Sequence, residues 1–296
     1  MELIFLGTSC MQPTKQRNHP GVLLLRKGEG ILFDCGEGTQ RQLRVAGIKP
    51  TVIRKICISH WHGDHVLGLP GLLQTISSST DNTTLAVYGP AGTKRRIASM
   101  KETFASKELI DFTITEVANG TVCDEDEYTI HAAEMRHGTP CVGYALQEKE
   151  RRKVLLSKAK KLGIPQGPLL GRLQRGETIT FKNRNVAPED VTSPIKGKRF
   201  CYITDTRPNA NIPTLANGAD VLVLEATYAS DLAEKAKEYF HLTAQEAASL
   251  ANDANAKKLI LTHFSNRYKS AHELEEDARG IFNNTQAAED FLRIRF

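Results

Sequence analysis

Ile58-Ser59-His60-Trp61-His62-Gly63-Asp64-His65 packs three imidazoles and a carboxylate into one short run. The segment before it, Val52-Ile53-Arg54-Lys55-Ile56-Cys57-Ile58, alternates apolar and polar residues and then turns wholly apolar. That pattern predicts a strand entering a sheet interior, with the polar cluster at its carboxyl end and in the loop beyond. His60 and His62, two apart, point the same way. Gly63 lets the backbone turn so that Asp64 and His65 face the same space. A single loop histidine is usually a surface residue, but four ligand-type side chains beside an apolar strand point to a metal. Imidazole and carboxylate without thiolate suit zinc or a similar divalent transition metal.

With 296 residues and a 40% hydrophobic composition, the chain can build a sizeable core. No apolar run approaches the roughly 20 residues of a membrane span, and Met1-Glu2-Leu3-Ile4 passes straight into a strand pattern rather than a signal peptide. A cytoplasmic protein is expected. The six cysteines (Cys10, Cys35, Cys57, Cys123, Cys141 and Cys201) are scattered, with no C-x-x-C pair, and read as small apolar residues in a reducing compartment. Of the net charge of +5, the segment Lys149–Arg184 carries +9, leaving −4 for the remainder.

Outward from the central stretch, strand and helix patterns alternate as in a layered α/β fold. Strands are predicted at Glu2–Leu6, Val22–Arg26, Gly30–Asp34, Leu85–Tyr88, Phe112–Val117, Tyr128–Met135, Val142–Leu146, Arg199–Thr204, Asp220–Leu224 and Lys257–Thr262, with a last one at Phe291–Phe296. Helices are predicted at Thr39–Ala46, through Leu67 to Ile76, at Thr93–Phe104, Asp231–Phe240 and Ala271–Phe282, and at Thr243–Asn252, where Thr243 and Glu246 form a capping-box pattern. Arg151–Leu162 reads as a short basic helix that Gly163-Ile164-Pro165-Gln166-Gly167-Pro168 cannot continue. With few large apolar residues, the segment from about 148 to 176 has little to bury and is expected to protrude.

His60, His62, His137, Asp205, Glu225 and His263 each lie at or just past the end of an apolar strand. Active sites on open α/β sheets gather at such ends, and the inventory matches the roughly 3 to 4 ligands per ion that a two-metal site requires.

The H-x-H-x-D-H run resembles the signature of the metallo-β-lactamase superfamily, and further stretches narrow the resemblance. Phe5-Leu6-Gly7-Thr8-Ser9, Pro13-Thr14-Lys15-Gln16-Arg17-Asn18, Asp34-Cys35-Gly36-Glu37-Gly38-Thr39-Gln40, Ile164-Pro165-Gln166-Gly167-Pro168, Asp205-Thr206-Arg207, Glu225-Ala226-Thr227-Tyr228 and His241-Leu242-Thr243-Ala244 look like the ribonuclease Z family, endonucleases that trim the 3′ end of precursor tRNA. The resemblance runs from Leu3 to His263. It implies a four-layer αβ/βα sandwich over residues 1–296 and two divalent ions, zinc first among them. His60, His62 and His137 would hold one ion and Asp64, His65 and His263 the other, with Asp205 bridging. Asp64 would also orient or deprotonate the attacking water, and His241, positioned with Glu225, would protonate the departing 3′ oxygen. One departure is Thr204, where related enzymes often carry glycine; it bears on the backbone before Asp205 rather than on the ligand.

The resemblance also assigns the basic segment, residues 148–176, as an inserted flexible arm that clamps tRNA, usually across a homodimer. A strip of positive charge supplies sequence-independent, salt-sensitive phosphate contacts. Lys153, Lys158, Lys160, Lys161 and Arg172 are its candidate RNA contacts, Gly167 and Pro168 would shape it, and Lys15, Arg17 and Asn18 would line the cleft near the acceptor end. Two rivals are weighed: an enzyme of the same fold acting on a small substrate, such as a cyclic-nucleotide phosphodiesterase or thioester hydrolase, and a non-catalytic RNA-binding module. The basic segment argues against the first and the complete ligand set against the second.

Overall fold

A computed structural model describes residues 1–79, 84–104 and 112–296, which fall into two compact units. The first comprises residues 1–123, 130–146 and 199–296, and the second residues 124–129 and 147–198.

The first unit is built on two seven-stranded sheets. One runs in the order Arg293–Arg295, Glu2–Gly7, Gly21–Arg26, Glu29–Phe33, Ile53–Cys57, Leu85–Gly89, Phe112–Glu116. The other runs Thr285–Ala287, Leu259–Thr262, Val221–Glu225, Arg199–Ile203, Cys141–Glu148, Tyr128–Met135, Gly120–Asp124. Alternation along each strand splits its side chains between two faces. In Arg199–Ile203, Cys201 and Ile203 join a cluster with Leu250, Ala251 and Leu274 of the helices Ala244–Asp253 and His272–Arg279. Phe200 and Tyr202 point the other way and meet Phe33 of the opposite sheet, at ring-centroid separations of 5.2 and 5.4 Å. On the first sheet, Leu32, Ile53 and Ile56 pack on Leu43, Leu72 and Ile76 of the helices Thr39–Val45 and Leu69–Ser79. Helices therefore cover both outer faces, and the four-layer α/β sandwich is observed.

The strands Glu29–Phe33, Ile53–Cys57 and Leu85–Gly89 are parallel, as are Arg199–Ile203, Val221–Glu225 and Leu259–Thr262. Asp34, His60, Asp205, Glu225 and His263 all emerge at or just beyond the carboxyl ends of these strands. Asp34, Asp205 and His263 adopt left-handed backbone conformations, with φ of 56°, 42° and 62°, so each strand breaks sharply where its polar residue appears. The left-handed turn falls on Asp205 and not on Thr204, which is why a threonine is tolerated there. Gly36 is needed for space, because a Cβ would collide with the Asp64 carbonyl and His19. Likewise a Cβ on Gly7 would strike the His19 carbonyl, which accounts for the juxtaposition of the Gly7-Thr8-Ser9 and Pro13–Asn18 stretches.

Most predicted elements appear within a residue or two. Gly120–Asp124 is an additional strand, missed because it carries one large aliphatic residue, and Asp231–Phe240 is a 3-10 turn, Ser230–Leu232, followed by a short helix, Ala233–Glu238.

The second unit departs further from expectation. Arg151–Val154 is a strand paired with Thr192–Ile195, and only Leu156–Lys161 is helical. A hairpin, Ile179–Phe181 with Arg184–Val186, and the helices Pro168–Gln174 and Pro188–Val191 complete it. Ala159, Ile164, Leu170, Leu173, Ile179, Val186 and Val191 form a small core. The expectation of little to bury fails, because four of these seven residues, Ala159, Ile164, Leu170 and Leu173, lie within 148–176 and pack with three from beyond it. The acidic run Asp124–Glu127 also belongs to this unit, so its positive excess is smaller than that of Lys149–Arg184 alone.

Candidate metal centre

Seven predicted ligands converge. Donor atoms of His60, His62, His137 and Asp205 lie within 4.8 Å of one another, as do those of Asp64, His65 and His263. His60 Nε2 is 2.9 Å from His62 Nδ1, which is 3.2 Å from His137 Nε2. His65 Nε2 is 3.2 Å from His263 Nε2 and 3.5 Å from Asp64 Oδ2. Asp205 Oδ2 lies 3.0 Å from His60 Nε2 and 2.8 Å from His65 Nε2, so its carboxylate touches both groups. A nitrogen–nitrogen approach of this kind accommodates at most one hydrogen, and Asp205 Oδ1 is buried without a hydrogen bond. Converging imidazole and carboxylate lone pairs with no competing thiolate fit divalent cations.

The electrostatics carry the same demand. Burial, reinforced by the charge of His65, pushes His60 down to about 4. Burial also opposes charge on His65 and His263, yet Asp205, with Asp34 and Asp64 around His65, raises both well above the usual imidazole range. Burial would raise Asp205 and Asp64, but the neighbouring imidazoles override it and hold both carboxylates low. His137 is lowered by burial, partly offset by Asp205.

Supporting residues fix the rings. His65 Nδ1 is 2.8 Å from Asp34 Oδ2, and the Asp34 carboxylate also accepts from Ser59 N (2.7 Å), Ser59 Oγ (2.8 Å) and Tyr202 OH (2.8 Å). Such a bond holds the Nδ1–H tautomer and leaves Nε2 free as a donor. His137 Nδ1 faces the Phe240 carbonyl at 3.3 Å, and the Met11 N–H donates to Asp64 Oδ2 at 2.8 Å. The Asp34 role was missed in the sequence; its position at a strand end was the available signal. Asp34→Asn is expected to weaken metal affinity about 10- to 100-fold without unfolding the protein, as measured by competition with a chromogenic chelator. An unchanged affinity would remove Asp34 from the support of the site.

Beside the cluster, His241 Nδ1 lies 3.2 Å from Glu225 Oε1 and 3.4 Å from Asp205 Oδ1. Glu225 also accepts from Thr206 N (2.7 Å) and Thr227 Oγ1 (2.6 Å). Burial lowers His241 but Glu225 more than compensates and raises it, while Glu225 is itself held low by His241 against the effect of burial. Asp205, Glu225, His241 and His263 also form a set with donor atoms within 4.8 Å. Arg207, paired with Glu246 at 2.6 Å, donates to the His241 carbonyl, and Glu246 completes the predicted capping box with Thr243.

The predicted RNA-contacting residues divide. Lys15 is exposed, and in the second unit so are Lys153, Lys158, Lys160, Lys161, Gly167, Pro168 and Arg172. Arg172 and Arg175 pair with Glu177, and Pro168 opens the helix after Gly167. Arg17 departs from the expectation: it is 8% exposed, donates to the Tyr268 carbonyl at 2.8 Å and lies over the Phe264 ring. Its guanidinium is committed to holding its own loop.

Comparison with known proteins agrees with this geometry. Residues 1–157 match the family described as anti-Pycsar protein Apyc1, and residues 189–264 the beta-lactamase superfamily domain. The chain is 42% identical to ribonuclease Z of Methanothermobacter thermautotrophicus, over 99% of this chain and 96% of that protein. The chain belongs to the ribonuclease Z family. Ribonuclease Z of Bacillus licheniformis is also 42% identical, over 98% of this chain and 97% of its own length. The crystal structure of human tRNase Z, short form, superposes with a TM-score of 0.75 at 29% identity, covering 100% of this chain and 99% of that one. A member of this family with this donor cluster is a metal-dependent hydrolase of the endoribonuclease class.

Proposed function

We propose that this enzyme is a zinc-dependent endoribonuclease that removes the 3′ trailer from precursor tRNA and works in the cytoplasm as a homodimer. The observation that carries the reading is an intact donor cluster, with a carboxylate–histidine pair beside it, in a chain related end to end to ribonucleases Z. His60, His62 and His137 would hold one ion and Asp64, His65 and His263 the other, with Asp205 placed to serve both. Bound there, two divalent ions supply Lewis-acid stabilisation of phosphoryl oxygens and acidify water.

The side chains do the rest. Asp64, oriented by the Met11 N–H, accepts the proton of the attacking water. His241, its Nδ1 held by Glu225 and its charged form favoured, delivers a proton from Nε2 to the departing 3′ oxygen. Water is thereby added across the P–O3′ bond, leaving a 3′ hydroxyl on the tRNA and a 5′ phosphate on the trailer. The exposed lysines of the second unit contact phosphates of the tRNA body as an arm, with Lys15 nearer the acceptor end.

The test is incubation with a 3′-extended tRNA transcript followed by sizing and end analysis of both products. Uncut transcript alongside rapid turnover of a cyclic nucleotide would favour the small-substrate rival. His241→Ala is expected to slow cleavage about 10²- to 10⁴-fold with metal content unchanged. Loss of an ion in that variant would make His241 a ligand instead of the acid.

A further inference from the structure

Two large apolar residues sit at opposite ends of the donor cluster, and each is held in a backbone conformation that disfavours it. Phe240 has φ 61° and is 40% exposed; Met11 has φ 58° and is 72% exposed. Each is tied by its main chain to a ligand-type side chain, through the Phe240 carbonyl to His137 and through the Met11 N–H to Asp64. Neither tie uses the side chain.

Phe240 is the more telling of the two. The helix Ala233–Glu238 ends in a Schellman arrangement, with His241 N donating to Ala236 O at 2.8 Å and Phe240 N to Lys237 O at 3.4 Å. Phe240 therefore occupies the left-handed position at which glycine is favoured. A bulky residue kept in a sparsely populated conformation at an active site points to a use for that residue. The ring stands edge-on to His137, centroids 6.5 Å apart, and precedes the proposed proton donor His241.

We infer that Phe240 and Met11 are stacking platforms for the two nucleobases flanking the scissile phosphate, an inference that rests on the ribonuclease reading. His241 serves the departing 3′ oxygen, which belongs to the upstream nucleotide, so Phe240 takes the upstream base. Met11, beside Asp64 at the other end, takes the first base of the trailer, with its polarizable thioether against the ring. Unpaired RNA ends are recognised by stacking on aromatic side chains, tolerantly of base identity. The pair thus selects an unstacked segment at the cleavage point.

The test uses the metal-loaded protein and precursor tRNAs that are intact or abasic at the upstream nucleotide. For the unmodified enzyme the abasic change is expected to lower kcat/KM roughly 5- to 150-fold. In Phe240→Gly, which suits the left-handed backbone and keeps the carbonyl, intact and abasic substrates should agree within about twofold, and Phe240→Tyr should restore the difference. Independently, 2-aminopurine at the upstream position of an analogue with a methylene phosphonate at the scissile linkage should be quenched on binding the unmodified protein but not Phe240→Gly. The same abasic penalty or the same quenching in both proteins overturns the inference while the ribonuclease reading stands. A wild-type enzyme that leaves 3′-extended tRNA uncut overturns both.

Discussion

Asp205→Asn is expected to cost about 10³-fold or more in cleavage of a 3′-extended tRNA, since it removes charge stabilisation of several kcal/mol, and to release bound metal. The Asp205 carboxylate touches residues of both donor sets, within 3.0 Å of His60, His65 and His263. Asparagine keeps the volume and tolerates the φ of 42°, so lost charge is separated from backbone strain. Asp205→Ala and His65→Ala should be equally inactive, with alanine at 205 adding a backbone penalty. Breaking a buried charge pair by removing one partner costs about 3–5 kcal/mol, but release of the cations limits the loss, and circular dichroism should still report a folded protein. Metal analysis beside a gel assay decides the matter: full activity of Asp205→Asn with both ions retained would remove the proposed site.

What made the site legible was its position on strands. An apolar run that ends in His60, Asp205 or His263 announces a polar residue at a sheet's carboxyl edge, and parallel pairing then gathers those edges without further information. Residues acting through tertiary contacts gave a weaker signal or none. Asp34 looks like any turn aspartate until Tyr202 and His65 arrive from sites distant in sequence. Arg17, polar and in a loop, looks exposed until Tyr268 and Phe264 cover it. Met11 and Phe240 hold Asp64 and His137 through backbone groups, contacts that side-chain identity does not encode. In the second unit, charge masked structure: Arg151-Arg152-Lys153-Val154 carries no periodicity to separate strand from helix, and its partner strand lies about forty residues away.

Excision of residues 149–197 should weaken precursor tRNA binding by about 10²-fold or more while sparing hydrolysis of a small chromogenic phosphodiester. The cut points follow from the hydrogen bonding: Glu148 N donates to Lys198 O at 2.9 Å, so a short glycine linker can join the two ends with little strain. Removing only 150–175 would be a poorer experiment, because it takes Ala159, Ile164, Leu170 and Leu173 from the small core and leaves Ile179, Val186 and Val191 uncovered. If the exposed lysines of this unit neutralise phosphates, each contact contributes about −0.7 to −0.9 to the slope of log K against log salt. Loss of four such contacts would flatten the slope by about 3, a change that a purely structural role does not produce. Binding isotherms at several salt concentrations, beside turnover of the small substrate, separate the alternatives. Parallel loss of both activities with an unchanged salt slope would make the unit a support for the fold and leave tRNA selection to the first unit alone.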